Sequence, residues 1–109
     1  MSIYQSIEFI KDNAKEYGKA KAKRIYIEKF LTSKKALLQK QYLKQGILAV
    51  NAQERDAYSN PEYIQLLEGL EQAVEIEETL KWKLEAAKLE IEIWRTEQAN
   101  NRTQDKATQ

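Results

Sequence analysis

At 109 residues, with 42% hydrophobic and 32% charged side chains, the chain has room for one small folded domain built around a thin core. It contains neither cysteine nor histidine, which excludes disulfides, thiolate chemistry and the Ser-His-Asp and Cys-His arrangements, so no catalytic residue stands out. The net charge of +1 conceals a polarity along the chain. Gly18 to Gly46 holds nine basic residues against Glu28 alone, a net +8, whereas Glu54 to Glu97 holds twelve acidic and five basic residues, a net −7. Such an asymmetry implies either a basic surface for an acidic partner or two segments of opposite sign lying side by side.

Three glycines and one proline among plentiful Lys, Glu, Gln, Leu and Ala describe an all-α protein. In residues 2–17, Ile3, Ile7, Ile10, Ala14 and Tyr17 form one narrow apolar seam, read as an N-terminal helix or helix extension. Gly18 lowers helix propensity by roughly 1 kcal/mol relative to Ala, which leaves both a continuous helix and a hinge open. Residues 19–45 place Ala20, Ile27, Leu31, Leu38 and Tyr42 on one side, widened by Phe30 and Leu37, with lysines pointing away. This is an amphipathic basic helix ending at Gly46.

Periodicity weakens over 47–60, where a connection or a short helix is expected. In Ser59-Asn60-Pro61-Glu62, Ser59 or Asn60 can cap a helix whose first turn accepts Pro61. From there to residue 98, Leu66, Leu70, Ala73, Glu77, Leu80, Leu84, Ala87, Ile91 and Trp94 follow a four-three alternation with Glu77 as its one polar member. This helix would span roughly 60 Å at 1.5 Å per residue. Trp82, Ala86, Leu89 and Ile93 form a second stripe on its opposite side, and one neighbour cannot cover both. The expected architecture is therefore a long helical hairpin or coiled-coil bundle completed by oligomerisation, a homodimer first. Residues 99–109 are polar and without a seam, and are expected to be disordered.

Two surfaces carry the functional expectation. Lys21, Lys23, Arg24, Lys34 and Lys35 could contact phosphates, with Tyr26, Phe30 or Tyr42 available to stack on bases. Lysine supplies charge without a base-reading fork, so binding to DNA would be independent of sequence. The competing reading pairs these residues with the acidic C-terminal helix. Trp82, Leu84, Leu89, Ile91, Ile93 and Trp94 form the expected partner or oligomer interface. Glu77 either reaches solvent or meets a lysine of the basic helix and sets the register. Glu71, Glu75 and Glu78 read as a solvated acidic face; no metal site, cofactor or glycine-rich phosphate loop is expected. The sequence shows neither a signal peptide nor a run of about 18 apolar residues, which points to a cytoplasmic protein without membrane attachment.

In Ala52-Gln-Glu-Arg-Asp-Ala-Tyr-Ser-Asn-Pro-Glu-Tyr63, Ile76-Glu-Glu-Thr-Leu-Lys-Trp-Lys-Leu84, Ile91-Glu-Ile-Trp-Arg95 and Asn101-Arg102, the chain resembles small helical proteins of bacteriophages and prophages. The resemblance runs from about Lys23 to Arg102. Such proteins resemble neighbours of single-strand-binding and recombination genes, which implies a non-enzymatic accessory role around phage DNA in the bacterial cytoplasm. It equally admits an inhibitor or adaptor acting on a host defence or repair protein. No catalytic motif comes with it.

Overall fold

The computed structural model describes residues 2–108, and its architecture is all-α. Three helices follow in order: α1, Ile3–Lys44; α2, Val50–Ser59; and α3, Pro61–Thr108. No cis peptide interrupts them, and the one positive φ among the described residues belongs to Gly46.

Each boundary has a local chemical cause. Ser2 and Gln5 form a reciprocal capping box at the start of α1. The Gln5 N–H donates to Ser2 Oγ at 3.2 Å, and the Ser2 N–H donates to Gln5 Oε1 at 2.9 Å. At the other end, Gly46 adopts φ 94°. Its N–H donates to the Leu43 carbonyl at 3.1 Å, while the Ile47 N–H donates to the Tyr42 carbonyl at 3.0 Å. These are the two bonds of a Schellman motif, and they satisfy carbonyls that the ending helix leaves open. Of the two candidate caps before Pro61, Asn60 is the one used: its Oδ1 accepts the Glu62 N–H at 2.8 Å. Ser59 instead donates back to the Arg55 carbonyl at 3.0 Å.

Gly18 lies within α1, so the helix is continuous where a hinge was equally open. One glycine costs a helix roughly 1 kcal/mol, less than neighbouring turns of good helix formers supply. Of the stretch 99–109, expected to be disordered, residues 99–108 belong to α3, which continues to Thr108, and Gln109 lies outside the described residues. Extending an existing helix needs no new nucleus, and Ala, Gln, Arg and Lys propagate it at little cost.

The chain divides into two compact units, with boundaries at Gly18 on α1 and between Glu77 and Glu78 on α3. The unit Lys19–Glu77 holds the buried residues Ile27, Leu31, Leu38, Ala57 and Ala73. Tyr63, Leu66 and Leu70 pack against Ile27, Leu31 and Ala73. The turn between α1 and α3 is pinned by polar side chains as well. The Tyr42 hydroxyl accepts from Asn60 Nδ2 at 2.9 Å and donates to the Asp56 carbonyl at 3.3 Å. Buried Gln53 donates to the Ile47 carbonyl at 2.8 Å. One phenol thus ties the end of α1, α2 and the cap of α3 together.

The other unit joins the chain up to Gly18 with the chain from Glu78 onward. Its buried apolar residues are Leu84 and Ala87. Ile10, Ala14 and Tyr17 of α1 share a shallow groove with Lys81, Leu84, Glu85 and Lys88 of α3. Ser6 is fully buried and donates to Glu90 at 2.6 Å, so a polar bond occupies the place of an apolar contact in this seam. The four-three alternation of α3 describes its buried side well: from Leu66 to Ile91 each member is buried or half-buried, and Trp94 is exposed.

Candidate functional site

The basic helix segment and the acidic half of α3 meet inside the unit Lys19–Glu77. Glu77 occupies a seam position and is only 5% exposed. Its carboxylate accepts from Arg24 Nε, and at 3.3 Å from Arg24 Nη2. This is a forked pair that a guanidinium can form and an ammonium cannot. Arg24 Nη1 also reaches both Glu28 oxygens at 3.0 Å. Hydrogen bonding to Glu77 first, and to Glu28 second, raises the guanidinium pKa further above its ordinary value. Glu77 therefore does not reach solvent but meets a cation of the basic helix, and that cation is an arginine and not a lysine.

Two more of the candidate phosphate-binding residues are engaged within the chain. Lys34 Nζ lies 2.7 Å from Glu62, and Lys35 Nζ lies 3.1 Å from Glu54. Lys35 also sits over the Tyr58 ring at 4.7 Å. Its pKa is raised from 10.5, first by the contact with Tyr58 and then by Glu54. Arg24, Lys34 and Lys35 thus clamp α1 to α2 and α3, whereas Lys21 and Lys23 are exposed. Lys29, Lys40 and Lys44 are exposed as well. The Tyr26 and Phe30 rings stack on each other with centroids 5.9 Å apart and planes 6° from parallel.

The expected partner interface also separates into two sets. Leu84 is buried and Ile91 half-buried, both on the seam side of α3. Trp82, Leu89 and Ile93 are 65%, 62% and 58% exposed. With Ala86 they form a stripe of four positions spaced four, three and four apart, which brings them to one face of α3. Glu78, Glu85, Glu90, Glu92 and Glu97 lie three or four residues from members of this stripe against Lys83 alone, giving it a mainly acidic border, and Lys81 sits over the Trp82 ring at 5.7 Å. Glu85 and Glu92 form i,i+3 contacts with Lys88 and Arg95 at 3.4 and 3.3 Å, both open to solvent. Exposed pairs of this kind contribute little to stability and yield readily to other partners. Trp94 is partly exposed beside Arg95, Gln98 and Arg102 in a shallow depression.

Among the described residues, no group of three or more carboxylates is placed to hold a metal ion. No helix among them is long and apolar enough to cross a membrane. Sequence reasoning missed the Ser6–Glu90 bond and the Tyr42 junction. Ser2-x-x-Gln5 was a legible capping signal, but nothing in a lone Ser6 or Tyr42 names a partner 84 or 18 residues away. No known protein family, curated protein or solved structure matches this chain.

Proposed function

We propose that this chain is a non-enzymatic binding protein, an adaptor or inhibitor that docks a protein partner on the outer face of α3. The carrying observation is the stripe Trp82, Ala86, Leu89 and Ile93, which presents large apolar side chains to water on the face opposite the chain's own seam. Contiguous apolar surface rimmed by charge marks interaction sites, and tryptophan is the side chain most enriched among binding hot spots. In the phage setting that the resemblance implies, the partner is a host defence or repair protein or another copy of the chain.

Capture on immobilised protein tests this reading, with bacterial extract and a tagged copy of the chain offered in parallel. Bound protein should be retained in high salt, lost with Trp82→Ala, and kept with Lys21→Glu. Retention that ignores Trp82 and collapses on lysine reversal overturns it.

A second reading is favoured by the exposed lysines and the Tyr26–Phe30 stack. In it, Lys21 and Lys23 contact single-stranded DNA without sequence preference, assisting phage recombination or replication. Arg24, Lys34 and Lys35 hold the helices together in this version, and the exposed lysines carry the phosphate contacts. Counterion release then makes binding fall steeply with salt. Fluorescence anisotropy of labelled single strands at low and physiological salt checks it, and no binding at low salt overturns it.

A further inference from the structure

The α3 stripe has a counterpart of opposite charge on the same chain. On α1, Tyr26, Phe30, Ser33 and Leu37 repeat the spacing of four, three and four found in Trp82, Ala86, Leu89 and Ile93. Tyr26 and Leu37 are 66% and 57% exposed, with Phe30 half-buried between them. Exposed Lys23 and Lys29 lie three residues either side of Tyr26, and exposed Lys40 lies three beyond Leu37. One apolar stripe is thus bordered by lysines and the other mainly by glutamates, over the same number of helical turns. Tyr26 and Leu37 on one stripe, and Trp82, Leu89 and Ile93 on the other, stand open to solvent in the single chain.

From this match we infer that a second copy of the chain occupies the α3 stripe, presenting its α1 stripe to it, so that self-assembly is heterologous in its contacts. The inference rests on the protein-docking reading above and names the partner. Charge decides between the possible pairings. Two α3 stripes facing each other would bring together Glu78, Glu85, Glu92 and Glu97 from both copies, and two α1 stripes would bring together their lysines. The α3-on-α1 pairing sets opposite charges across both borders of an apolar contact. It also removes from water the aromatic and aliphatic surface that either helix alone leaves exposed.

The test is a complementation experiment read by sedimentation equilibrium. One variant, Trp82→Ala/Leu89→Ala/Ile93→Ala, removes the α3 stripe; the other, Tyr26→Ala/Leu37→Ala, removes the α1 stripe. All five positions are exposed, and circular dichroism verifies that helicity is kept. Wild type should self-associate and each variant alone should be monomeric. An equimolar mixture should form a one-to-one heterodimer and nothing larger, because a single intact contact remains.

Should either variant lose helicity, the charge variants Glu78→Lys/Glu85→Lys/Glu92→Lys and Lys23→Glu/Lys29→Glu/Lys40→Glu replace them. Each alone should weaken assembly at least tenfold, and their mixture should restore it. A Tyr26→Ala/Leu37→Ala chain that associates as well as wild type overturns the inference in favour of α3 pairing with itself, and leaves the docking reading standing. Wild type that stays monomeric at hundreds of micromolar also overturns it; the capture experiment then decides whether the stripe docks a foreign protein or none.

Discussion

The two units of this chain are made from the same two long helices, yet they bury their surface differently. In Lys19–Glu77, five apolar residues are buried, three cations clamp the helices, and the Tyr42 phenol fastens the turn. In the unit formed by the chain up to Gly18 and from Glu78 onward, Leu84 and Ala87 are the buried apolar residues, and Ser6 fills a seam position. Both units also leave large apolar side chains in water: Tyr26, Leu37, Leu48 and Val50 in the first, Trp82, Leu89 and Ile93 in the second. The second holds itself with fewer buried apolar residues, a difference that favours local opening there.

Core truncations should break that contrast most strongly. Leu38→Ala, at a position only 2% exposed, should cost about 3 kcal/mol of global stability, measured by urea unfolding. Leu84→Ala should instead raise hydrogen exchange in its own unit while amides of Ile27 to Leu38 keep their protection. Equal loss of protection in both units would show that they open as one body.

The Arg24–Glu77 pair sharpens the comparison next. Arg24→Leu leaves the Glu77 carboxylate buried without its forked partner, and should lower the melting temperature clearly. Arg24→Leu/Glu77→Leu should recover most of that loss, because well-packed apolar residues can replace a buried pair. A double variant as unstable as the single one would mean that the pair is favourable in its own right.

Asn60→Ala removes both the cap of α3 and a bond to Tyr42, for a loss of about 1 kcal/mol read in the same unfolding experiment. The smallest effect is a pH dependence. Lys35 has a folded pKa raised above 10.5, so its contribution is complete below its unfolded pKa and is lost as pH rises through the folded value. Stability near neutral pH should not depend on this titration, and Lys35→Met should remove the extra alkaline sensitivity of wild type.

Much of the secondary structure and half of the candidate site were legible beforehand. The four-three alternation on α3, the helix stop at Gly46 and the cap before Pro61 are local signals, set by propensity and turn chemistry within a few residues. The opposition of Trp82, Leu89 and Ile93 to the seam follows from helix geometry alone. Which of Lys21, Lys23, Arg24, Lys34 and Lys35 face solvent did not follow, because charge spacing on one helix carries no information about the carboxylates opposite it.

The amino-acid sequence by itself determined an all-α chain with two apolar stripes on α3 and opposite charge in its halves, since each depends on periodicity or composition. Only the tertiary structure decided that Gly18 lies within a continuous helix, that Asn60 rather than Ser59 caps α3, and that Arg24 rather than a lysine meets Glu77. The Arg24–Glu77 pair joins residues 53 positions apart, Asn60 is held as the cap by a bond to Tyr42 18 positions away, and Gly18 reflects the balance of helix propagation against a single weak breaker.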